Sequence, residues 1–266
     1  MIHINRKACI GCGRCRDVCS LSCIKMEEEK AVFGGEKRCI TCGHCLAVCP
    51  GHAIGVDLYD NEQSVEMTSA KEFASKEGLK NRMIFRRSVR SYRIEAPSKE
   101  EIEAVLDGAR YAGTGGNRQA LRYVAVRDNL RKVTGMAAQT LGLLSQSQGF
   151  YGPAYNRIYK ESQKGNDVLF YNAPWLVLVV GNRKRGFNVN KDGCLAAAYI
   201  QLLGETMEIG SCVNGFFADA VKENAELRQE LGIEEDEVLV CSIAMGYPAV
   251  AYLRSAPRKK LDVTWK

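Results

Sequence analysis

The sequence lacks a long hydrophobic run: no uninterrupted apolar stretch in its 266 residues approaches the roughly 18 residues that a membrane-spanning helix needs. It also lacks a Gly-x-Gly-x-x-Gly fingerprint for dinucleotides and any nucleic-acid recognition motif. The opening residues, Met1–Lys7, run straight into a cysteine-rich segment and do not resemble a signal peptide. These absences predict a cytoplasmic protein that binds neither a membrane nor nucleic acid.

Composition and length are those of an ordinary globular protein. Hydrophobic residues make up 46% of the chain and charged residues 26%, so a packed core is expected. The length allows one large domain or two smaller ones, each with its own core. The formal net charge of +6 is weak support for a nucleic-acid partner when no recognition motif accompanies it.

Cysteines are concentrated near the start of the chain, where one spacing occurs twice. A shift of 30 residues superimposes the two runs, which hold eight of the twelve cysteines. Thiolates spaced so closely must wrap a compact object larger than one ion. Paired Cys-x2-Cys units also bind zinc, but a zinc site joins two such pairs, whereas each run here has four cysteines. The runs are Cys9, Cys12, Cys15 and Cys19, then Cys39, Cys42, Cys45 and Cys49.

The doubled run, with Pro50 after its last cysteine, resembles bacterial two-[4Fe–4S] ferredoxins. The resemblance implies a small ferredoxin-like domain over residues 1–58, with short strands near Ile2–Ile4 and Ala31–Phe33. It also implies crossed ligation, in which the fourth cysteine of each run binds the cluster of the other run. Cys9, Cys12, Cys15 and Cys49 would then hold one cluster, and Cys39, Cys42, Cys45 and Cys19 the other.

Three residues close to these ligands need separate interpretation. Cys23 corresponds to Ala53 under the shift, so we expect a buried core cysteine and not a ninth ligand. His44 lies between ligands, where a solvated side chain is expected and hydrogen bonding to a cluster is the alternative. Ser20 replaces the proline that follows the fourth cysteine of the second run, which removes no ligand.

Residues 59–78 are polar and carry no strand signal, so we expect a linker. Ser69-x-x-Glu72 has the pattern of a capping box, and the helix it begins is expected to reach about Met83. The stretch from Lys80 to Arg93 then contains six basic residues and no acidic one. A charge run is usually a solvated face. Here, however, Arg86-Arg87-Ser88-Val89-Arg90 places guanidiniums on both sides of a hydroxyl, which suits phosphate oxygens.

The segment Arg86–Tyr92 looks like the opening motif of the FMN-dependent nitroreductase family, and further matches follow in the family's order. The loop Ala112–Gln119 corresponds to the family's Ala-Pro-Ser and Asn-x-Gln segment, although Gly113 replaces the usual proline. Gly246-Tyr-Pro248 and the basic tail after Pro257 also match. The resemblance covers about residues 70–266 and implies an FMN-binding domain over 79–266. The implied FMN contacts are Arg86, Ser88, Arg90, Asn117, Asn214, Gly215, Arg258 and Lys260.

The implied fold class is α+β, with the small ferredoxin-like two-cluster domain followed by a nitroreductase-like domain. That second domain is expected to have a central mixed sheet flanked by helices. The expected strands are Tyr123–Val126, Trp175–Val180 and Val238–Gly246. The expected helices include 129–148 and Gly193–Ile209, the latter capped by Asp192 and stopped by Gly210.

The stretch 148–166 is aromatic, glycine-bearing and irregular in pattern. In the nitroreductase family this region covers the active site, so Phe150, Tyr151 and Tyr155 are candidates for a substrate lid, with ordinary surface-loop packing as the alternative. The cysteines outside the two runs and beyond residue 100 are expected to be buried and inert. They are Cys194, Cys212 and Cys241.

The two resemblances together imply an FMN- and iron–sulfur-dependent oxidoreductase. Electrons would pass between two [4Fe–4S] clusters and FMN to reduce a small organic acceptor such as a nitro compound or an enone. The flavin carries the chemistry, so no catalytic residue is assigned to the protein. Ferredoxin or NAD(P)H is the expected electron donor, and the family implies a homodimer. The alternative is a non-enzymatic electron-transfer or redox-sensing protein.

Overall fold

The computed structural model describes residues 1–65, 75–147 and 149–266. The chain forms two compact units. The first contains residues 1–65 together with Gly116–Arg118, and the second contains the remaining described residues. The capping box predicted at Ser69–Glu72 lies outside the described residues, and the helix that follows begins at Lys76 with Ser75 as its N-cap.

The strands of the first unit form two small ladders. β1 (Ile2–Ile4) pairs antiparallel with β4 (Ile54–Val56), and β2 (Ile24–Glu27) pairs antiparallel with β3 (Lys30–Phe33). The short strands predicted near the start of the chain and before the second cysteine run are therefore confirmed. Their inward side chains form a small core that Cys15 joins from outside the strands; the strand residues are Ile2, Ile24, Ala31, Ile54 and Val56.

Each cysteine run contains one helical turn, α1 (Arg14–Asp17) in the first and α2 (His44–Ala47) in the second. Both turns follow a glycine with positive φ, which is 74° at Gly13 and 76° at Gly43. Glycine adopts this conformation without a steric penalty. The two runs thus repeat the same backbone path, as their 30-residue shift predicts.

The second unit is built on one four-stranded sheet. Its strands are β5 (Leu121–Val126), β6 (Trp175–Asn182), β7 (Gly210–Val213) and β8 (Glu237–Gly246), and their spatial order is β5-β6-β8-β7. All three ladders are antiparallel. Seven consecutive residues of the central strand β6 are buried, as its continuous apolar run predicts.

Among the residues that the structure describes, the parallel component of the predicted mixed sheet is a single bridge. Ser88 pairs in parallel with Ser211 at the outer edge of β7, beside the antiparallel ladders. The α+β class itself is confirmed, because helices and an antiparallel sheet occur together in the second unit.

Helices cover both faces of this sheet, and alternate residues of β6 point to opposite faces. Leu176 and Leu178 join the core under the helices at 130–144 (α5), 152–163 (α6) and 215–223 (α8). Val177 and Val179 join the core under the helices at 99–109 (α4) and 189–206 (α7). Within the described residues, no helix has both the length and the apolar character needed to cross a membrane. The helices are α3 (Lys76–Phe85), α4 (Lys99–Ala109), α5 (Leu130–Leu144), α6 (Gly152–Gln163), α7 (Val189–Thr206), α8 (Gly215–Glu223) and α9 (Ala225–Glu230).

Two predictions about the second unit were wrong. The stretch after residue 148 is largely the helix α6, not an irregular loop, because Tyr155 and Ile158 bury one helical face against the core. The helix expected to begin at Gly193 begins four residues earlier, with the Asn188 side chain accepting a hydrogen bond from the Lys191 amide. α7 also ends at Thr206, before the predicted stop at Gly210.

Candidate functional site

The eight cysteines of the two runs line two separate cavities in the first unit. Each cavity takes three cysteines from one run and the fourth from the other. Among the described residues, no three His, Cys, Asp or Glu side chains converge to hold one metal ion. The grouping is the crossed set implied by the resemblance, and it suits a cluster in each cavity. Cys9, Cys12, Cys15 and Cys49 line one cavity, and Cys19, Cys39, Cys42 and Cys45 the other.

Backbone amides point at the sulfurs in both cavities. The Ala31 amide donates to Cys9 Sγ at 3.5 Å, and the Thr41 amide donates to Cys39 Sγ at 3.4 Å. Hydrogen bonds from the Ala31 and Gly11 backbones hold the pKa of the Cys9 thiol below its usual value. Such donors stabilise the thiolate form of the cysteines that line the cavities, and the thiolate is the form that binds iron. Burial has the opposite effect at Cys45, where it raises the pKa of the thiol to about 11.

The remaining cysteines differ in exposure. Cys23 and Cys212 are buried, as predicted. Cys194 is exposed on α7, so its predicted burial was wrong, because the apolar residues around it in sequence face both sides of the helix. Cys241 is half-buried on β8, and burial raises the pKa of its thiol to about 12. His44 is exposed, in line with a solvated side chain.

The arginine–serine motif of the second unit lies against the edge strand β7. Ser88 bridges Ser211, and the Val89 amide donates to Ser211 O at 3.0 Å. Ser211 Oγ is buried and has no hydrogen-bond partner among the described residues. Val89 is buried, which anchors the motif, while Ser88 is half-buried and Arg90 is exposed.

Two guanidiniums of this motif donate hydrogen bonds to neutral oxygens, and Arg86 also interacts electrostatically with the Glu205 carboxylate. Arg86 Nη1 donates to Gln201 Oε1 at 3.2 Å, and Arg90 Nη1 donates to Ser88 O at 3.4 Å. Both acceptors are neutral oxygens. The two positive charges and the Ser88 hydroxyl all act to lower the pKa of the Cys212 thiol, although burial has the larger effect and raises it. Because Ser88 bridges Ser211 beside Cys212, the motif lies along β7, where its guanidiniums and hydroxyl suit an anion such as a phosphate.

The end of β7 leads into α8 through Asn214 and Gly215. The Asn214 side chain caps α8 by accepting from the Phe217 amide at 3.3 Å, and it donates to Leu169 O at 2.6 Å. The Asn214 backbone amide donates to Ser242 O. Gly215 is exposed and occupies the first helical position, where a backbone N–H has no acceptor within the helix. Of these two predicted FMN contacts, Gly215 therefore has a backbone amide that can donate to a ligand. Asn214 holds that amide in position by capping the helix.

Three further predicted FMN contacts lie elsewhere. Asn117 groups with the first unit, where its side-chain amide donates to Thr41 O and Tyr59 Oη, each at 3.0 Å. Arg258 and Lys260 lie in an exposed tail without regular secondary structure. The contacts of these three residues with FMN stay predictions.

An aromatic group lies beside the start of α8. Phe216 makes edge-on contacts with Tyr151 and Tyr155, whose ring centroids are 5.7 Å and 5.4 Å away. Phe150 adds an edge-on contact to Tyr151 and is almost fully exposed. Sequence reasoning selected the three residues of the 148–166 stretch but missed Phe216. Its position directly after Asn214 and Gly215 was the available signal.

Comparisons with known proteins identify two parts of the chain, one near each end. Residues 83–247 match the family model described as the nitroreductase family, and residues 1–50 match that of the 4Fe-4S dicluster domain. A nitroreductase with bound FMN from Desulfitobacterium hafniense DCB-2 is similar in structure at 25% sequence identity. Its TM-score is 0.58, and the match covers 70% of this chain and 98% of that chain. No curated protein matches the chain.

Two other solved structures share the fold at lower identity. A nitroreductase with bound FMN from Bacteroides fragilis is 21% identical with a TM-score of 0.59, covering 70% of this chain and 97% of its own. An FMN-dependent nitroreductase from Clostridium difficile is 20% identical with a TM-score of 0.55, covering 72% of this chain and 100% of its own.

Proposed function

Because the chain belongs to the nitroreductase family and carries a 4Fe–4S dicluster domain, we propose that it is an FMN-dependent oxidoreductase in which electrons pass between two [4Fe–4S] clusters and FMN. The proposed reaction is reduction of a small organic acceptor, such as a nitro compound or an enone. Eight of the twelve cysteines are the proposed cluster ligands, and this spacing is typical of metal sites in a reducing compartment, so we propose that the protein is cytoplasmic.

The observation that carries the proposal is the crossed lining of the two cysteine cavities. Each offers four sulfurs from both runs, and backbone amides are directed at several of those sulfurs. When bound, the clusters supply single-electron transfer, and FMN supplies two-electron chemistry. Placing both on one chain gives the donor and the flavin a high effective concentration.

We propose that FMN is held by the motif along β7 and by the start of α8. Arg86 and Arg90 provide guanidinium forks and Ser88 a hydroxyl for the phosphate. The Gly215 amide is placed to donate to the flavin ring, in a position fixed by the cap that Asn214 makes. The exposed tail would add its basic side chains to the phosphate, and the Asn117 amide would contact the flavin edge. The tail residues are Arg258 and Lys260.

The aromatic group supports a flat substrate. Tyr151 and Phe216 pack edge-on beside the proposed flavin contact at Gly215, and the buried Tyr155 supports both rings from the core. Aromatic rings favour offset or edge-on packing with other flat groups. We therefore propose that Phe150 and Tyr151, which are exposed, line the approach of the acceptor.

The testing experiment is anaerobic purification of the full chain, followed by a visible spectrum and analysis of iron, sulfide and flavin. We expect about eight iron atoms, about eight sulfides and about one FMN per chain. Stopped-flow mixing of the oxidised protein with reduced ferredoxin, NADH or NADPH then identifies the donor by the rate of flavin bleaching. Turnover is measured with a nitroaromatic compound and with an enone.

Each possible failure identifies the part of the proposal that is wrong. Zinc without sulfide would contradict the proposed iron–sulfur clusters. Failure to bind FMN after reconstitution would contradict the proposed flavin site. A protein that holds all cofactors but reduces no acceptor would instead support the electron-transfer or sensing alternative.

We also propose a homodimer through α3 and α7. These helices are joined by Arg82 Nη1, which donates to Glu205 O at 2.6 Å. Leu195 and Tyr199 on α7 are about half exposed, at 51% and 46%. Further exposed apolar residues lie on the neighbouring helix α3, and we propose that the two sets form one interface patch. The α3 residues are Leu79, Met83, Ile84 and Phe85.

The dimer is tested by sedimentation of the flavin-loaded protein. Leu195→Asp places a charge in the patch and is expected to shift the protein toward the monomer. Leu143→Asp is the matched control, since Leu143 on α5 is even more exposed, at 78%, and lies outside the patch. Equal behaviour of the two variants would contradict the proposed interface.

A further inference from the structure

The hairpin of β2 and β3 packs its turn against the first cysteine run. The turn residues Glu28 and Glu29 both have positive φ, at 47° and 59°. Gly11 lies in the loop that connects Cys9 to Cys12, and a Cβ added to it would fall 2.3 Å from Glu29 O. The hairpin turn therefore lies directly on the loop that joins these two cysteines.

Residues next to the turn add polar contacts to the same run. The Ala31 amide donates to Cys9 Sγ at 3.5 Å, and Lys30 Nζ donates to Cys9 O. Arg6 Nη2 pairs with Glu28 Oε2 at 3.0 Å. The half-buried Lys30 is therefore held at Cys9 both by its own side chain and by the backbone contact of the residue that follows it.

The position equivalent to Lys30 in the second half of the repeat carries the opposite charge. Under the 30-residue shift that relates the runs, Cys9 corresponds to Cys39 and Lys30 corresponds to Asp60. The Asp60 side chain accepts from the Glu62 amide at 3.1 Å and caps the short turn that follows it. The cation at Cys9 is thus specific to one half of the repeat and distinguishes the two cavities.

A fixed positive charge beside a cluster changes the reduction potential of that cluster. Reduction by one electron makes the cluster and its thiolates more negative, so a nearby cation stabilises the reduced form more than the oxidised form. At a half-buried position this attraction is screened less than it is between two fully exposed charges. Removing the cation therefore lowers the potential of the adjacent cluster.

We propose that Lys30 raises the reduction potential of the cluster held by Cys9, Cys12, Cys15 and Cys49. The proposal rests on the iron–sulfur clusters of the proposed function. The step that Lys30 favours is the transfer of one electron to this cluster from an external low-potential donor such as reduced ferredoxin. Lys30 stays protonated throughout, and no covalent bond forms or breaks.

The test measures the potentials of both clusters in the full-length, cofactor-loaded protein. Electron paramagnetic resonance spectra are recorded while the ambient potential is lowered stepwise with dithionite. Lys30→Gln removes the charge and keeps an amide donor for Cys9 O. We expect one of the two cluster signals to lose about three- to tenfold in its reduced-to-oxidised ratio at fixed potential, a shift of about 30–60 mV for a one-electron couple. The signal of the other cluster should change little.

Three further variants show whether the charge of Lys30 is responsible. Lys30→Met removes the charge and the donor together, so it should lower the same potential at least as far as Lys30→Gln does. Lys30→Arg keeps the charge and should retain most of the wild-type potential. Lys25→Met is the matched control, because it removes the same charge from an exposed position on β2 of the same hairpin. It should leave both potentials nearly unchanged.

Iron and sulfide contents separate the possible failures. A wild type without two clusters overturns the proposed clusters and this inference with them. Two intact clusters with unchanged potentials in Lys30→Gln overturn the inference alone, as does an equal shift of both signals or an equal shift in Lys25→Met. If only one of the two neutral Lys30 variants keeps its iron, the potential of that variant decides. Loss of iron from both would show that Lys30 retains the cluster without tuning it, which also overturns the inference.

Discussion

The Tyr155 hydroxyl donates a hydrogen bond of 2.7 Å to Asp219 Oδ2, which ties α6 to α8. Tyr155 is 2% exposed, and burial is the main reason that the pKa of its hydroxyl is raised. The hydroxyl therefore remains a donor at neutral pH. Since α8 begins at Gly215, this bond links α8, which carries a proposed flavin contact, to α6, which carries Tyr155 of the aromatic group.

Tyr155→Phe is expected to lower the free energy of unfolding by about 1–3 kcal/mol, because Asp219 loses a charge-assisted hydrogen bond while the ring packing remains. Urea unfolding followed by near-ultraviolet circular dichroism measures the change. Tyr151→Phe is the matched control, since Tyr151 is 49% exposed and its hydroxyl has access to water. Equal losses in the two variants would show that the bond to Asp219 contributes nothing specific.

Local signals account for the parts of the fold that the sequence predicted. The Ser-x-x-Glu pattern at Ser98 and Glu101 is a capping box at the start of α4, with both reciprocal hydrogen bonds present. The apolar run from Trp175 to Val180 is the buried central strand. The grouping of sulfurs in the two cavities was instead implied by the resemblance to two-cluster ferredoxins, because each cavity joins cysteines from both runs.

The features that sequence reasoning missed depend on contacts between distant residues. Asn188 and Asp192 can both cap a helix, and local rules do not choose between them. The structure buries Asp192 inside α7, where its Oδ1 accepts from the Gly115 amide at 3.1 Å, 77 residues away in sequence. Helix α6 likewise depends on the burial of Tyr155 against a core that sequence alone does not locate.

The Arg122–Glu237 ion pair predicts a stability change with pH. Arg122 donates to both carboxylate oxygens of Glu237, at 2.7 Å and 2.6 Å. The hydrogen bonds from Arg122 hold the pKa of that carboxyl below its usual value. A carboxyl with a lowered pKa in the folded state stabilises the fold above its unfolded pKa of about 4.3, and this contribution is lost as pH falls below that value.

Arg122→Met is therefore expected to cost about 1–3 kcal/mol at pH 7, less than a fully buried pair would, because the guanidinium is partly exposed. The difference between wild type and variant should shrink as pH falls below about 4.3. Urea unfolding at several pH values measures it. Lys132→Met breaks the more exposed pair with Glu230 and should cost less than about 1 kcal/mol. A difference for Arg122→Met that does not change with pH would contradict the role of the Glu237 charge.

Arg90→Ala tests the proposed phosphate contact. Loss of a guanidinium fork is expected to raise the dissociation constant of FMN about 10- to 100-fold, the equivalent of one charge-assisted hydrogen bond. The constant is measured by fluorescence titration of the flavin-free protein. Riboflavin lacks the phosphate, so its affinity should change little.

Two controls make the Arg90 result specific. Lys80→Ala removes the same charge from an exposed position in the same basic run and should leave FMN affinity nearly unchanged. Arg90→Lys keeps the charge without the planar fork, so an intermediate affinity is expected. Parallel losses for FMN and riboflavin would place Arg90 away from the phosphate.

Cys42→Ser tests the electron path without disturbing the flavin site. Cys42 shares its cavity with Cys19, Cys39 and Cys45, and a serine hydroxyl is a poor substitute for a thiolate that binds iron. We expect iron to fall from about eight to about four atoms per chain, with FMN content unchanged. Flavin reduction by reduced ferredoxin should slow at least about tenfold when it is followed by stopped flow in the flavin absorption band.

Cys194→Ser is the control, because Cys194 is exposed on α7 and lines neither cavity. A Cys42→Ser protein that keeps its iron and its rate would show that this cavity holds no cluster on the path to FMN.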